Sequence, residues 1–218
     1  MLTNARHSLH AWTWSAAPWP GGVEQDFLEV PSMMLENFVW NPEVLRRLSN
    51  HVEDGTCLPD QQIEALSQSR FEMTGYTKMK YLALALYDLK VHRPGPGPYM
   101  FEENEYDAVS LYNIMIKRYT GVSTFAGSFA AASWFHLLMG YDAGYYGYIY
   151  SETIAADLFS KFEELSTDGN SIIDMNLGKK YRDMILSPCA TLDGECMVFN
   201  FLGRESSKDA FLHSRIGT

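Results

Sequence analysis

The nine residues 81–89 (YLALALYDL) are apolar nearly all round. A helix without a polar face has to be buried, so this stretch predicts a helix inside a packed domain. It is followed at 93–98 by RPGPGP, in which alternating proline and glycine can sustain neither a helix nor a central strand. Apolar residues recur at helical spacing on both sides of that break. Upstream, Phe27, Met34, Leu35, Phe38 and Val39 mark a helix within 26–40, with Pro31 in its first turn or at a kink. Pro42 opens a second helix bearing Val44, Leu45 and Leu48. Asp54-Gly55 and Pro59 form a loop, Asp60 caps a helix running toward Gln68, and a further helix covers 71–91. Downstream, the acidic run 102–107 precedes an amphipathic helix with Leu111, Ile114, Met115 and Tyr119, and 121–132 is loop-like. Helices are predicted over 151–165, 178–186 and, as the last, 196–202, which Gly203 ends. No strand pattern and no repeat emerges. The fold class is mainly α, with an irregular N-terminal segment over 1–25 and a helical domain over 26–218.

Composition narrows the function classes. With 46% hydrophobic and 20% charged residues the chain can bury a core, which excludes disorder and coiled coil. Lys+Arg 17 against Asp+Glu 27 leaves a net charge of −10, which opposes a nucleic-acid backbone or an anionic membrane as partner. No stretch approaches the roughly 18 apolar residues of a membrane span, and MLTNARHSLH has no signal-peptide core. Cys57, Cys189 and Cys196 cannot all pair and fit no zinc-finger spacing. They read as reduced thiols of a cytoplasmic protein.

Three places bear chemistry. Glu29 lies in the apolar FLEVPS stretch at a predicted helix start, as a metal ligand or base, or as a first-turn acid favoured by the helix dipole. Glu36 stands two turns on, along the same face. His7 and His10 (HSLH) are spaced to share a helix face, either as metal ligands or as surface histidines. Tyr141, Tyr145, Tyr146 and Tyr148 alternate with Gly140, Gly144 and Gly147, just after His136. Phenols stay protonated at pH 7 and donate hydrogen bonds, and glycines let a ligand approach the backbone. The same rings could instead fill core.

At these residues a family resemblance becomes specific. FLEVPS with Met34, Leu35, Glu36 and Asn37 resembles the signature that follows the H-E-x-x-H helix in the thimet oligopeptidase and neurolysin family of zinc metallopeptidases. His136, Gly140-Tyr141-Asp142-Ala143, Tyr145-Tyr146-Gly147-Tyr148 and Ser151-Glu152 look like its active-site loop. FLGR at 201–204 and DAFL at 209–212 are similar to its C-terminal signature, and the motifs stand in the family's order. The resemblance implies an almost wholly helical fold like the C-terminal half of those enzymes, a zinc cofactor, and short peptides as substrates. It assigns Glu29 to the downstream zinc glutamate, and His136, Tyr141 and Tyr148 to catalytic positions. Gly140 and Tyr145 take substrate-binding positions.

The departures are equally definite. H-E-x-x-H occurs nowhere in the 218 residues. Laying His7 on the second zinc histidine puts Thr3 on the first ligand and Asn4 on the catalytic glutamate, and a neutral amide cannot take a proton from water. Met139 replaces a loop glycine. The family enzymes are several times longer, which implies association with an N-terminal half bearing the other wall of the channel. Two readings follow. One is a metallopeptidase-like domain impaired as an isolated peptidase. The other is a non-catalytic or repurposed relative whose tyrosine-lined cleft takes a peptide or small molecule.

Overall fold

The computed structural model describes residues 22–125, 127–167 and 169–216. His7, His10 and most of the 1–25 segment lie outside them. In chain order the elements are α1 (Val30–Glu36), a 3-10 turn (Asn37–Trp40), α2 (Pro42–Leu48), α3 (Asp60–Ser69), α4 (Thr74–Val91), β1 (Tyr99–Phe101), β2 (Asn104–Tyr106), α5 (Ala108–Thr120), two 3-10 turns (Ala130–Ser133 and Phe135–Leu137), α6 (Gly147–Thr167), α7 (Met175–Tyr181), a π-type turn (Arg182–Leu186), a 3-10 turn (Cys189–Thr191), α8 (Gly194–Leu202) and α9 (Asp209–Ile216). The fold is mainly α, as the periodicity predicts. No helix among the described residues is long and apolar enough to cross a membrane.

The chain forms two compact units, Met1–Glu72 with Tyr150–Thr218, and Met73–Ile149. In the first, α6 presents Ile154, Ala155, Leu158, Phe159 and Phe162 to one core, a spacing that keeps them on one helix face. Val30 and Met34 of α1 and Met197, Val198 and Phe201 of α8 close on the same core. Phe38 meets Phe159 and Phe162 edge-on with ring centroids 5.0 and 5.1 Å apart, and Tyr181 meets Phe201 likewise at 5.6 Å; such geometry suits the aromatic quadrupole. Polar ties fix the periphery. The Asn41 side chain caps α2 through Glu43 N–H, and Glu43 in turn accepts from Ser171 Oγ and Ile172 N–H. Asp157, buried on α6, takes both guanidinium nitrogens of Arg204 at 2.8 and 2.6 Å and the Ser207 N–H at 2.7 Å. Arg204 closes the FLGR motif, so this motif is explained by an ion pair that anchors the chain beyond α8.

In the second unit α4 packs on α5. Ala83, Leu84, Ala85 and Tyr87 face Leu111, Met115 and Ile116, with Phe101 and Ala131 completing the core. Asp107 caps α5 by accepting from Ser110 N–H, and Gly121 ends it at φ +75°.

The structure differs from the sequence reading in five places. A short antiparallel hairpin, Tyr99 opposite Tyr106, appears where no strand is predicted. Its two turn residues, Glu102 and Glu103, have φ of 45° and 67°, the conformation Asn-Gly would normally signal, so the usual turn signature is absent. The 81–89 helix is buried on one side only: Leu82 is 36% and Leu89 44% exposed. Pro59 occupies the N-cap position of α3, and Asp60 is its first helical residue. The helix predicted from Ser151 starts at Gly147, and α9 follows the helix expected to be last.

Candidate functional site

Between α5 and α6 the chain runs through short turns that gather aromatic rings around His136. Its ring centroid lies 5.4 Å from that of Tyr141, 5.2 Å from Tyr145 and 5.7 Å from Tyr148. Tyr141 and Tyr148 stack at 5.5 Å with planes 15° apart. The Tyr148 hydroxyl faces His136 Nε2 at 3.3 Å. With that nitrogen unprotonated the phenol donates to it; with it protonated the phenol oxygen accepts. Gly140, at φ +82°, takes the left-handed conformation that a side chain would strain. The four assigned residues His136, Tyr141, Tyr145 and Tyr148 are thus brought together within one unit.

They are not equivalent. Tyr145 is buried against Ala83, Leu84 and Ile116, with Trp134 edge-on at 4.6 Å. Burial, with smaller contributions from Tyr81 and Tyr112, pushes its phenol up to about 12. It forms the floor on which the half-buried His136, Tyr141 and Tyr148 rest, whereas Tyr146 is exposed.

Beneath the loop lies a group that sequence reasoning missed. Asp88 of α4 is fully buried. Its Oδ2 accepts the Tyr145 N–H at 3.0 Å and its Oδ1 the Ala143 N–H at 3.2 Å. His92 Nδ1, at the C-cap of α4, sits 2.8 Å from Oδ1. An acid inside the otherwise apolar YLALALYDL was the available signal, because a buried carboxylate needs partners.

Glu29 belongs to the first unit. It occupies the N-cap position of α1 without capping through its side chain, and its Oε2 accepts from Ser32 Oγ at 2.8 Å. Pro31, in the first turn, has no N–H for it to satisfy. Glu36 is exposed at the end of α1. A catalytic zinc takes three protein ligands and keeps one open position. Among the described residues no three His, Cys, Asp or Glu side chains converge in that way, and His7 lies outside them. The described donor set, one carboxylate already engaged by a hydroxyl, does not fit the ion.

Comparison with known proteins agrees with the arrangement of motifs. Residues 6–216 match Peptidase family M3. Saccharolysin of Saccharomyces cerevisiae is 31% identical over 195 residues, covering 88% of this chain and 26% of that protein. The thimet-like oligopeptidase of Dictyostelium discoideum is 30% identical over 97% of this chain and 29% of its own length. Oligopeptidase A of Escherichia coli is 31% identical over 88% and 27%. The chain therefore spans between a quarter and a third of the length of these relatives. With the match extending over nearly its whole length, the chain belongs to peptidase family M3.

Proposed function

We propose that this chain forms the peptide-gripping part of an oligopeptidase-type catalytic domain and that, alone, it binds short peptides without hydrolysing them. The assembly of His136, Tyr141 and Tyr148 on the Tyr145 floor carries the reading. When the imidazole nitrogen facing it carries the proton, the phenol oxygen accepts from that nitrogen and its own O–H can turn to a peptide carbonyl. Such donors also stabilise a developing oxyanion, typically by a few kcal/mol. Short peptides are the ligand class that the names of the oligopeptidase relatives suggest. Hydrolysis by the family's chemistry asks for more ligands than Glu29 supplies, and this sequence has no H-E-x-x-H. The −10 net charge further favours neutral or basic peptides over acidic ones.

The test is calorimetric titration of wild type and Tyr148→Phe with short peptides and a small-molecule panel. Removing one hydroxyl while leaving the ring should weaken peptide binding by about 0.5–1.5 kcal/mol with stability nearly unchanged. Saturating zinc, or a chelator, should move the thermal midpoint little, because a ligand stabilises a fold only by binding it. Equal affinity of Tyr148→Phe for every ligand found would remove this hydroxyl from the site. Peptide cleavage by wild type that is lost in Glu29→Ala would overturn the non-hydrolytic reading.

A further inference from the structure

The buried carboxylate of Asp88 has no role in the reading above, yet both backbone amides it holds belong to the tyrosine loop. Its two oxygens accept the N–H groups of Ala143 and Tyr145, two residues apart in sequence and more than fifty from Asp88 itself. Ala143 adopts φ +56°, a left-handed conformation that an L-residue keeps only where its surroundings impose it. Tyr145 is held from both sides of its backbone: its N–H goes to Asp88, and its carbonyl accepts the Tyr148 N–H at 3.2 Å. Its ring lies against His136 at 5.2 Å and Tyr148 at 5.1 Å. Fixing Tyr145 therefore fixes the surface on which the imidazole and the phenol meet. His92, at the end of α4, completes the set: with the proton on Nδ1 it donates to Oδ1, and without it the same nitrogen accepts the Ala143 N–H at 3.3 Å.

We propose that Asp88 is a positioning residue for His136 and Tyr148: its carboxylate holds the loop backbone at Ala143 and Tyr145 in the one arrangement that brings those two side chains together. The consequence for peptide affinity rests on the proposed function, whereas the tether itself is tested without any ligand.

Asp88→Asn keeps the shape but offers one acceptor oxygen in place of two and puts an amide NH2 against donors. In the ligand-free protein, exchange of the Ala143 or Tyr145 amide should rise about tenfold, the scale of losing one charge-assisted hydrogen bond. Leu111 and Met115 in the α5 core should keep their protection. The His136 imidazole and Tyr148 ring resonances should shift together, which a mere loss of global stability would not produce. Loop exchange and ring resonances identical to wild type, with the fold intact, would overturn the proposal. If Asp88→Asn does not fold, His92→Gln carries the test. There Ala143 exchange should rise and the His136 resonance move while Tyr145 stays protected, and no change in either would overturn the proposal. Where wild type binds a peptide, Asp88→Asn should lose about as much affinity as Tyr148→Phe. A loosened loop with undiminished affinity would refute the positioning role. A wild type that binds no peptide would refute the function proposed above and leave the exchange and resonance data to decide the tether.

Discussion

Arg204→Leu tests the pairing of a buried carboxylate with its cation in the first unit. Asp157 sits on α6 with its side chain 2% exposed, and three donors converge on it: two from Arg204 and one from the Ser207 backbone. Deleting the guanidinium leaves a buried carboxylate with a single N–H. Breaking a fully buried pair in this way costs about 3–5 kcal/mol. The Arg204 side chain is 44% exposed, so water replaces part of what is lost, and about 2–3 kcal/mol is the expected penalty. At about 2–4 °C per kcal/mol for a chain of this size, the midpoint should fall by roughly 5–10 °C. Because the chain has two compact units, unfolding in urea is best followed by the methyl resonances of Met34 and Met197, which lie in this unit's core. Asp157→Leu with Arg204→Leu supplies the control. Removing both charges should cost much less than the sum of the two single changes, the signature of coupled partners. A loss below about 0.5 kcal/mol for Arg204→Leu, the ordinary range for a surface substitution, would refute the argument that the carboxylate depends on this partner.

Two glycines should respond in opposite directions. Gly203 ends α8 at φ +74°, so Gly203→Ala should destabilise by about 1 kcal/mol through backbone strain alone. Gly178, inside α7 with open space where a Cβ would go, should gain about 0.5–1 kcal/mol as alanine; urea unfolding reads both, and equal signs would contradict the assigned backbone. Glu43 is a pH probe. The Ser171 hydroxyl first, then Ile172 N–H and Arg47, hold its carboxyl below the usual 4.5. A folded value below the unfolded one gives stability that is complete above the unfolded value and is lost as pH falls through the folded one. Glu43→Gln should therefore flatten the acid limb of the stability profile below about pH 4.5, and an unchanged slope would show that the carboxylate is not held as described.

Local patterning was enough to read most helices, because burial of one face imposes a period that survives in the sequence. The helical position of Met34, the Asn41-Pro42 start and the Gly203 stop reappear as elements, whereas Phe27 lies in the turn before α1. The motif order also sufficed for the family, since Glu29, the glycine–tyrosine loop and FLGR are contiguous strings that need no fold to be recognised. What the sequence could not show is long-range pairing. Asp88 and the loop amides it holds are more than fifty residues apart, and Asp157 and Arg204 are 47 apart. In a linear reading each is only an acid or a base near apolar neighbours. The exposure of Leu82 and Leu89 on a helix that reads as buried all round, and a hairpin turned by two glutamates in place of Asn-Gly, belong to the same class. Whether a face meets a neighbour, and whether strain at a turn is tolerated, depends on contacts that exist only once the chain has folded. The sequence by itself determined most of the helices and the family the chain belongs to, and the tertiary structure decided which distant groups pair, because those contacts exist only in the folded chain.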